Sequence, residues 1–262
     1  MSPAGGHLPR KRFGQHFLHD QNVIDRLVRV IQPRAGETMV EIGPGQGALT
    51  GPLLAHSDRL TVIELDRDLI PELLARFGDR PGFEVVQADA LKFDYSALAG
   101  GDRPLRVVGN LPYNISTPLL FHLLASAERI LDMHFMLQKE VVERICAAPD
   151  TEHYGRLSVS VAARADAQSL FNVGAGAFRP PPRVESAVVR LRPRAPAFKI
   201  VNQVVFDLVV REAFNHRRKT LGNALKGVCG PAHFLTTGID PIRRAETLSA
   251  EEFSRLANAV AD

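Results

Sequence analysis

A short polar corner follows an apolar run and carries the residue types that could hold a reactive amine; it consists of Asn110, Leu111, Pro112 and Tyr113. An asparagine side-chain oxygen and a main-chain carbonyl can each accept one N–H of an exocyclic amine, which positions its lone pair for reaction. Pro112 stiffens the corner and donates no competing N–H. Tyr113 offers a face on which an extruded base can stack. Taken alone, the tetrapeptide also fits an ordinary turn with a core tyrosine.

A glycine-rich loop lies upstream of this corner, where residues 41–47 read E-I-G-P-G-Q-G. Glycine lets the backbone turn tightly and lets a ligand approach the main chain, so Gly43 and Gly45 are candidate cofactor contacts. The third glycine comes one residue earlier than in a dinucleotide fingerprint, and the pattern of a nucleotide triphosphate loop is absent from this region. This spacing, with Glu41 just ahead of the loop, favours S-adenosylmethionine over a nicotinamide.

Two acidic residues follow the next two predicted strands. Glu64 ends the second strand, where a carboxylate can accept hydrogen bonds from both ribose hydroxyls. Asp89 follows the third, where it can accept an adenine amino group. Because the carboxyl ends of parallel strands line the ligand crevice of an open α/β sheet, we expect both acids to lie beside the glycine loop.

The elements that must position these residues alternate along the chain. Apolar runs predict strands at 38–42, 60–63, 83–86, 105–108 and 133–137, and helical spacing predicts helices at 20–31, 48–55, 68–77, 117–127 and 140–147. Strands alternating with helices of this length predict a parallel sheet with helices on both faces. After a helix at 156–164, two strands at 169–173 and 187–191 have no crossover helix between them, so we expect an antiparallel edge.

The final part of the chain is helical in pattern. A linker at 193–196 precedes predicted helices at 201–214, 217–228 and 250–260, the last with Ser249 and Glu252 in capping-box spacing. We therefore divide the chain into residues 1–195, an α/β domain with a basic N-terminal arm, and residues 196–262, a small all-α domain.

Composition restricts the classes of protein to consider. No apolar run approaches the length of a membrane span, and the N-terminus lacks the apolar stretch of a signal peptide, so we expect a cytoplasmic protein. The two cysteines fit neither a disulfide framework nor a zinc site, and we expect no metal. Residues 178–262 hold 14 Lys and Arg against 8 Asp and Glu, whereas residues 1–177 hold 18 against 21. The basic arm at Arg10, Lys11 and Arg12 and the basic C-terminal part thus flank an acidic middle, which suggests a polyanionic partner.

Several separated blocks resemble the ribosomal RNA adenine dimethyltransferase family, most closely its bacterial small-subunit type. They are K-R-F-G-Q-H-F-L at 11–18, the E-I-G-P-G loop, V-I-E-L-D at 62–66, G-N-L-P-Y-N-I-S at 109–116, M-L-Q-K-E-V at 136–141, F-R-P-P-P-R-V at 178–184 and E-A-F-N-H-R-R-K-T at 212–220.

The resemblance implies a Rossmann-like, S-adenosylmethionine-dependent methyltransferase domain with a helical C-terminal domain. The implied reaction is dimethylation at N6 of two adjacent adenosines in the 3′-terminal hairpin of 16S ribosomal RNA. It implies a 30S particle or its precursor as substrate and a role in late small-subunit assembly; we expect a monomer.

The resemblance also places functional residues on this chain. Cofactor contacts fall on His16, Leu18, Gly43, Glu64, Asp89 and Asn110. Relatives often carry Asn where this chain has His16. Phe178 is a candidate second aromatic wall for the target base. Phosphate contacts, which position RNA without specifying its sequence, are expected from Arg10, Lys11, Arg12, Arg217, Arg218 and Lys219.

Three alternatives stay open from the sequence. A related resistance methyltransferase would act on large-subunit RNA, although the R-R-K block at 217–219 looks more like the small-subunit type. A DNA adenine methyltransferase shares the reacting corner but normally needs a larger recognition region. An assembly factor would bind the particle, with catalysis secondary.

Overall fold

The computed structural model describes residues 15–98, 104–216 and 218–261 of the chain. They form two compact units. The first comprises the described residues up to Val142 together with Gln168–Pro193, and the second comprises Glu143–Ala167 and the described part of Arg194–Asp262.

The strands of the described residues are β1 (Phe17–Leu18), β2 (Thr38–Ile42), β3 (Arg59–Glu64), β4 (Phe83–Gln87), β5 (Leu105–Asn110), β6 (Ile130–Gln138), β7 (Ala165–Val173), β8 (Phe178–Arg179) and β9 (Ser186–Pro193). Seven of them form one sheet in the order β4-β3-β2-β5-β6-β9-β7. Strands β2 to β6 run parallel, and β9 pairs antiparallel with β6. The predicted mostly parallel sheet with an antiparallel edge is confirmed.

The helices of the described residues are α1 (Gln21–Ile31), α2 (Thr50–Leu54), α3 (Ile70–Phe77), α4 (Ser116–Ala125), α5 (Lys139–Cys146), α6 (Arg156–Ala162), α7 (Gln203–Asn215), α8 (Leu221–Ala224), α9 (Pro231–Thr237) and α10 (Ala250–Ala261). Helix α1 begins where the sequence predicts, because the Asp20 carboxylate accepts the main-chain N–H groups of Asn22 and Val23 at 2.9 and 3.2 Å. The capping box before α10 is also present: the main-chain N–H of Ser249 reaches the Glu252 carboxylate at 2.9 Å, and Ser249 Oγ accepts the N–H of Glu252 at 3.2 Å.

The second unit differs from the domain that the sequence analysis assigned to residues 196–262. Residues Glu143–Ala167 belong to this unit, whereas the sequence predicts them in the domain of residues 1–195. The reason is packing, since Tyr154 and Val159 are buried in one hydrophobic cluster with Phe206 and Phe253. The Tyr154 hydroxyl also donates to the carbonyl of Leu248 at 2.7 Å.

The predicted helix at 217–228 is wrong for the described residues. Helix α8 covers only Leu221–Ala224. The main-chain N–H groups of Leu221 and Gly222 donate to the carbonyls of Arg243 and Pro241, which fixes where α8 begins. Gly227 has a φ of 95°, a backbone conformation that is incompatible with a right-handed helix at this residue. Arg218 and Lys219 therefore precede α8 and are exposed, instead of opening a helix.

Candidate active site

The glycine loop between β2 and α2 turns through backbone conformations that favour glycine. Gly43 and Gly45 have φ values of 66° and 58°. The N–H of Gly43 donates to the carbonyl of Ile63 at 2.9 Å, so the loop is tied to the end of β3. A Cβ on Gly45 would lie 3.0 Å from Cδ1 of Phe17, which packs against the loop. The loop thus lines a crevice at the carboxyl ends of the parallel strands.

The two predicted acids lie in the same crevice. Glu64 is buried and accepts the main-chain N–H of Asp66 at 2.8 Å and that of Gly45 at 3.3 Å. Burial raises the pKa of Glu64, and these two N–H donors partly offset that effect. Asp89 is half-buried and accepts the N–H of Leu91 at 3.0 Å. Because a carboxylate has about four acceptor positions, both side chains can accept further hydrogen bonds from a ligand.

The reacting corner closes β5 beside these acids. Asn110 ends the strand, and its Nδ2 donates to the main-chain carbonyl of His16 at 2.9 Å. Leu111 is buried, and its N–H donates to the carbonyl of Met136 at 3.2 Å, which anchors the corner to β6. A Cβ on Gly109 would lie 2.6 Å from the carbonyl oxygen of Ile42, so only glycine lets β5 approach β2 here.

Tyr113 is held at both ends. Its hydroxyl and Ser186 Oγ share a hydrogen bond of 2.7 Å, and its ring stacks with the His16 ring at a centroid distance of 5.8 Å and an angle of 28°. Burial raises the pKa of the Tyr113 hydroxyl, so this group is a neutral hydrogen-bonding partner and not a base. The arrangement fixes the plane of the ring beside the crevice.

Phe178 lies elsewhere. It is 2% exposed and packs in the hydrophobic core that includes Leu18, with which it pairs between β1 and β8. It is not among the residues that line the crevice. Stacking on a base would require Phe178 to leave this core, so its role as second aromatic wall stays a prediction.

The crevice also contains a histidine that the sequence patterns do not indicate as a site residue. His134 lies on β6, is 2% exposed and lines the crevice. Neither ring nitrogen has a hydrogen-bond partner among the described residues. Burial lowers the pKa of His134 to about 4, so the imidazole is neutral at physiological pH. A histidine inside the apolar run at 133–137 was the signal that the sequence offered.

Glu41, just ahead of the glycine loop, is a buried carboxyl whose pKa burial raises from 4.5 to about 7. The Thr50 hydroxyl, which donates to it at 2.7 Å, partly offsets this effect, and nearby Glu64 adds to it. Between about pH 4.5 and pH 7, the folded protein therefore keeps a proton on Glu41 that the unfolded chain has already lost.

We expect the contribution of Glu41 to the stability of the cofactor-free protein to fall by roughly 2–3 kcal/mol between pH 5 and pH 8. Buried His134, whose pKa is lowered, contributes a change of the opposite sign in both the wild type and the variant. Denaturant unfolding at the two pH values should show that Glu41→Gln removes most of this fall. Glu84→Gln, at an exposed position of β4, serves as control. An unchanged pH profile in Glu41→Gln would contradict the assignment.

Of the predicted phosphate contacts, Arg218 and Lys219 are exposed in the second unit. Arg10, Lys11, Arg12 and Arg217 lie outside the described residues. Within the described ranges, no helix is both long and apolar enough to cross a membrane. In the same part of the chain, no group of three or more His, Cys, Asp or Glu side chains could hold a metal ion.

The family model described as ribosomal RNA adenine dimethylase matches residues 6–262. The ribosomal RNA small subunit methyltransferase A of Pseudomonas putida is 54% identical over 263 residues, which cover 100% of this chain and 98% of that protein. The protein of the same name from Acinetobacter baylyi is 53% identical over 254 residues, covering 97% and 93%.

Two solved structures share the architecture. A dimethyladenosine transferase from Plasmodium falciparum superposes with a TM-score of 0.78 at 25% identity, covering 92% of this chain and 96% of that one. The 23S rRNA methyltransferase ErmE superposes with a TM-score of 0.69 at 25% identity, covering 94% and 100%.

Proposed function

The chain belongs to the ribosomal RNA adenine dimethylase family, and we propose that it uses S-adenosylmethionine to dimethylate the N6 amines of two adjacent adenosines in the 3′-terminal hairpin of 16S ribosomal RNA. The observation that carries this proposal is the placement of Asn110 and Tyr113 in the same crevice as Glu64 and Asp89. An amine-holding corner next to a nucleoside-binding pair of acids is what such a transfer requires.

The crevice fits the cofactor. We propose that the Glu64 carboxylate accepts both ribose hydroxyls and that Asp89 accepts the adenine amino group, since both side chains line the crevice. Gly43 and Gly45 keep the loop free of side chains where the ligand passes, and His16 and Leu18 line the same crevice. When bound, S-adenosylmethionine supplies an electrophilic methyl group on a sulfonium centre.

The corner acts on the acceptor. An adenine N6 amine is a weak nucleophile because its lone pair is shared with the ring. Asn110 Oδ1 and a main-chain carbonyl of the corner each accept one N–H, which favours a pyramidal nitrogen with its lone pair free to attack. Tyr113 gives the extruded base a face on which to stack.

The substrate is proposed to be the 30S particle or its precursor, modified late in assembly in the cytoplasm by a monomer. Exposed Arg218 and Lys219 are proposed to contact RNA phosphates. Arg10, Lys11, Arg12 and Arg217 are proposed to do the same on sequence grounds. We propose that residues 1–195 carry out catalysis and supply the N-terminal RNA contacts, and that the helical residues 196–262 supply the other RNA contacts.

The test is methylation of purified 30S particles against free large-subunit RNA and duplex or single-stranded DNA, with labelled cofactor. Label in the 3′ hairpin of 16S RNA is expected. Label only in large-subunit RNA would favour the related resistance methyltransferase, and label only in DNA would favour a DNA enzyme. Binding to the particle without label would favour an assembly factor. Each of these three outcomes contradicts the proposal.

Glu64→Ala is expected to weaken cofactor binding by about 10- to 100-fold, because hydrogen bonds to a charged group contribute about 1.5–3 kcal/mol. Calorimetric titration with S-adenosylmethionine measures the effect. Glu64→Gln keeps one acceptor oxygen, so its affinity for S-adenosylmethionine should lie between those of the wild type and Glu64→Ala. Glu84→Ala, outside the crevice, should bind with the affinity of the wild type. Unchanged affinity in Glu64→Ala would remove the ribose assignment.

A further inference from the structure

Residues 15–18, which we call the strap, line the cofactor crevice and are anchored along their length. Gln15 Nε2 donates to Asp66 Oδ2 at 3.0 Å, just beyond the end of β3. Phe17 packs on Gly45 of the glycine loop, and Leu18 pairs with Phe178. The strap is therefore held to β3, to the glycine loop and to β8.

The strap also contacts the reacting corner through its main chain. The carbonyl oxygen of His16 lies 2.9 Å from Nδ2 of Asn110. A carbonyl can only accept a hydrogen bond, so the amide nitrogen must face it whichever way the side chain is built. The Asn110 oxygen is then left on the other branch of the amide, free to accept from a ligand.

We propose that the strap is a positioning element for the acceptor amine, and that the His16 carbonyl makes an amide obligatory at position 110 by fixing which atom of Asn110 faces the substrate. This inference rests on the proposed function. It explains a choice that amine recognition alone leaves open, because a carboxylate is nearly the same shape as the amide and is the better acceptor.

An aspartate at position 110 would place a carboxylate oxygen against the His16 carbonyl. Two acceptors at hydrogen-bond distance in a half-buried site repel each other and leave both without a donor. Either the carboxylate would rotate away or the strap would move, and the amine would be misplaced. A protonated aspartate differs, since its O–H can donate to the carbonyl while its C=O faces the crevice as the Asn110 oxygen does.

The experiment is single-turnover methyl transfer to 30S particles by Asn110→Asp and by the wild type between pH 6 and pH 8.5. At pH 8 the variant should be slower by about 100-fold or more, the cost of misplacing a reacting group by about 1 Å. The ratio of variant to wild-type rate should then rise about tenfold for each unit of decreasing pH, in step with the protonated fraction of the introduced carboxyl group.

The other titratable side chains that line the crevice are common to both proteins, so the ratio removes their contribution; they are His16, Glu41, Glu64, Asp89, Tyr113 and His134. A ratio that stays flat, or that rises with pH, overturns the inference, because protonation of the introduced carboxyl group would then not restore the orientation that the amide provides. Cofactor titration and thermal unfolding of Asn110→Asp at each pH establish that the variant is folded.

A second variant tests the strap without changing the corner. Gln15→Ala removes the hydrogen bond to Asp66 and should lower kcat while leaving KM for the particle unchanged. Gln21→Ala, at an exposed position of α1, is the matched control. In the double variant Gln15→Ala, Asn110→Asp, the rate loss that Asn110→Asp causes at pH 8 should be at least about fivefold smaller than in the Gln15 background. The reason is that the His16 carbonyl, no longer anchored through Gln15, can move away from the carboxylate. Equal penalties in both backgrounds would overturn the coupling.

The wild-type reaction separates the two levels of failure. If wild-type protein transfers no methyl group to the particle, the proposed function fails. If it does transfer and Asn110→Asp shows no recovery at low pH, only the positioning role of the strap fails.

Discussion

Replacing Asn110 with alanine is expected to lower the rate of methyl transfer by about 100- to 1,000-fold, the usual cost of removing one positioned group that stabilises a transition state. Under the proposed function, the variant loses the side-chain acceptor for the N6 amine. It also leaves the His16 carbonyl without its donor at 2.9 Å. Neither the amine nor the strap is then held in position by the side chain at 110.

The loss should fall on turnover and not on binding, because the affinity of a protein for RNA comes mainly from phosphate contacts, for which we propose other residues. Single-turnover rates and particle affinity measured together separate the two effects. Asn22→Ala, which makes the same change at an exposed position of α1, is the control. Near-normal transfer by Asn110→Ala would show that the corner does not hold the amine.

The largest stability effect is expected from Arg106→Ala. Arg106 is 5% exposed on β5, and its guanidinium donates twice to Asp132 at 2.9 Å and once to Glu37 at 2.7 Å. It also donates to the carbonyls of Ile31 and Gln32 at 2.5 and 3.0 Å, at the end of α1 where main-chain carbonyls have no partner within the helix. One side chain thus ties α1 to two strands.

Removing Arg106 leaves the Asp132 carboxylate buried without its cation, which should cost about 3–5 kcal/mol. Denaturant unfolding followed by circular dichroism measures the change. Arg129→Ala, at an exposed position, should stay within about 0.5 kcal/mol of the wild type. The double variant Arg106→Met, Asp132→Leu should recover much of the loss, since it removes both buried charges. A loss below about 1 kcal/mol in Arg106→Ala would contradict this account of the network.

Most of the α/β unit could be predicted from the sequence, because its pattern is local. The strand predicted at 38–42 has the same bounds as β2 in the structure. Asp20 and the Ser249–Glu252 pair mark the starts of α1 and α10 through contacts within three residues. Glu64, Asp89 and Asn110 could be placed together because parallel strands bring their carboxyl ends to one edge.

The rest depends on contacts between distant residues. The pairing of Leu18 with Phe178 involves two-residue strands that carry no periodic signal. The start of α8, four residues into the helix predicted at 217–228, depends on main-chain bonds to Pro241 and Arg243. The bond from Asn110 to the His16 carbonyl joins positions 94 residues apart through a main-chain atom, and no residue type in the sequence encodes it.

The most direct test of the account is mass spectrometry of the 3′-terminal hairpin of 16S RNA from a strain that lacks this gene, complemented with wild-type protein or with Asn110→Ala. Two adjacent dimethyladenosines should be absent in the deletion strain, restored by the wild type and not restored by Asn110→Ala. A hairpin that carries both modifications in the deletion strain, or stays unmodified with the wild-type protein, would contradict the central claim.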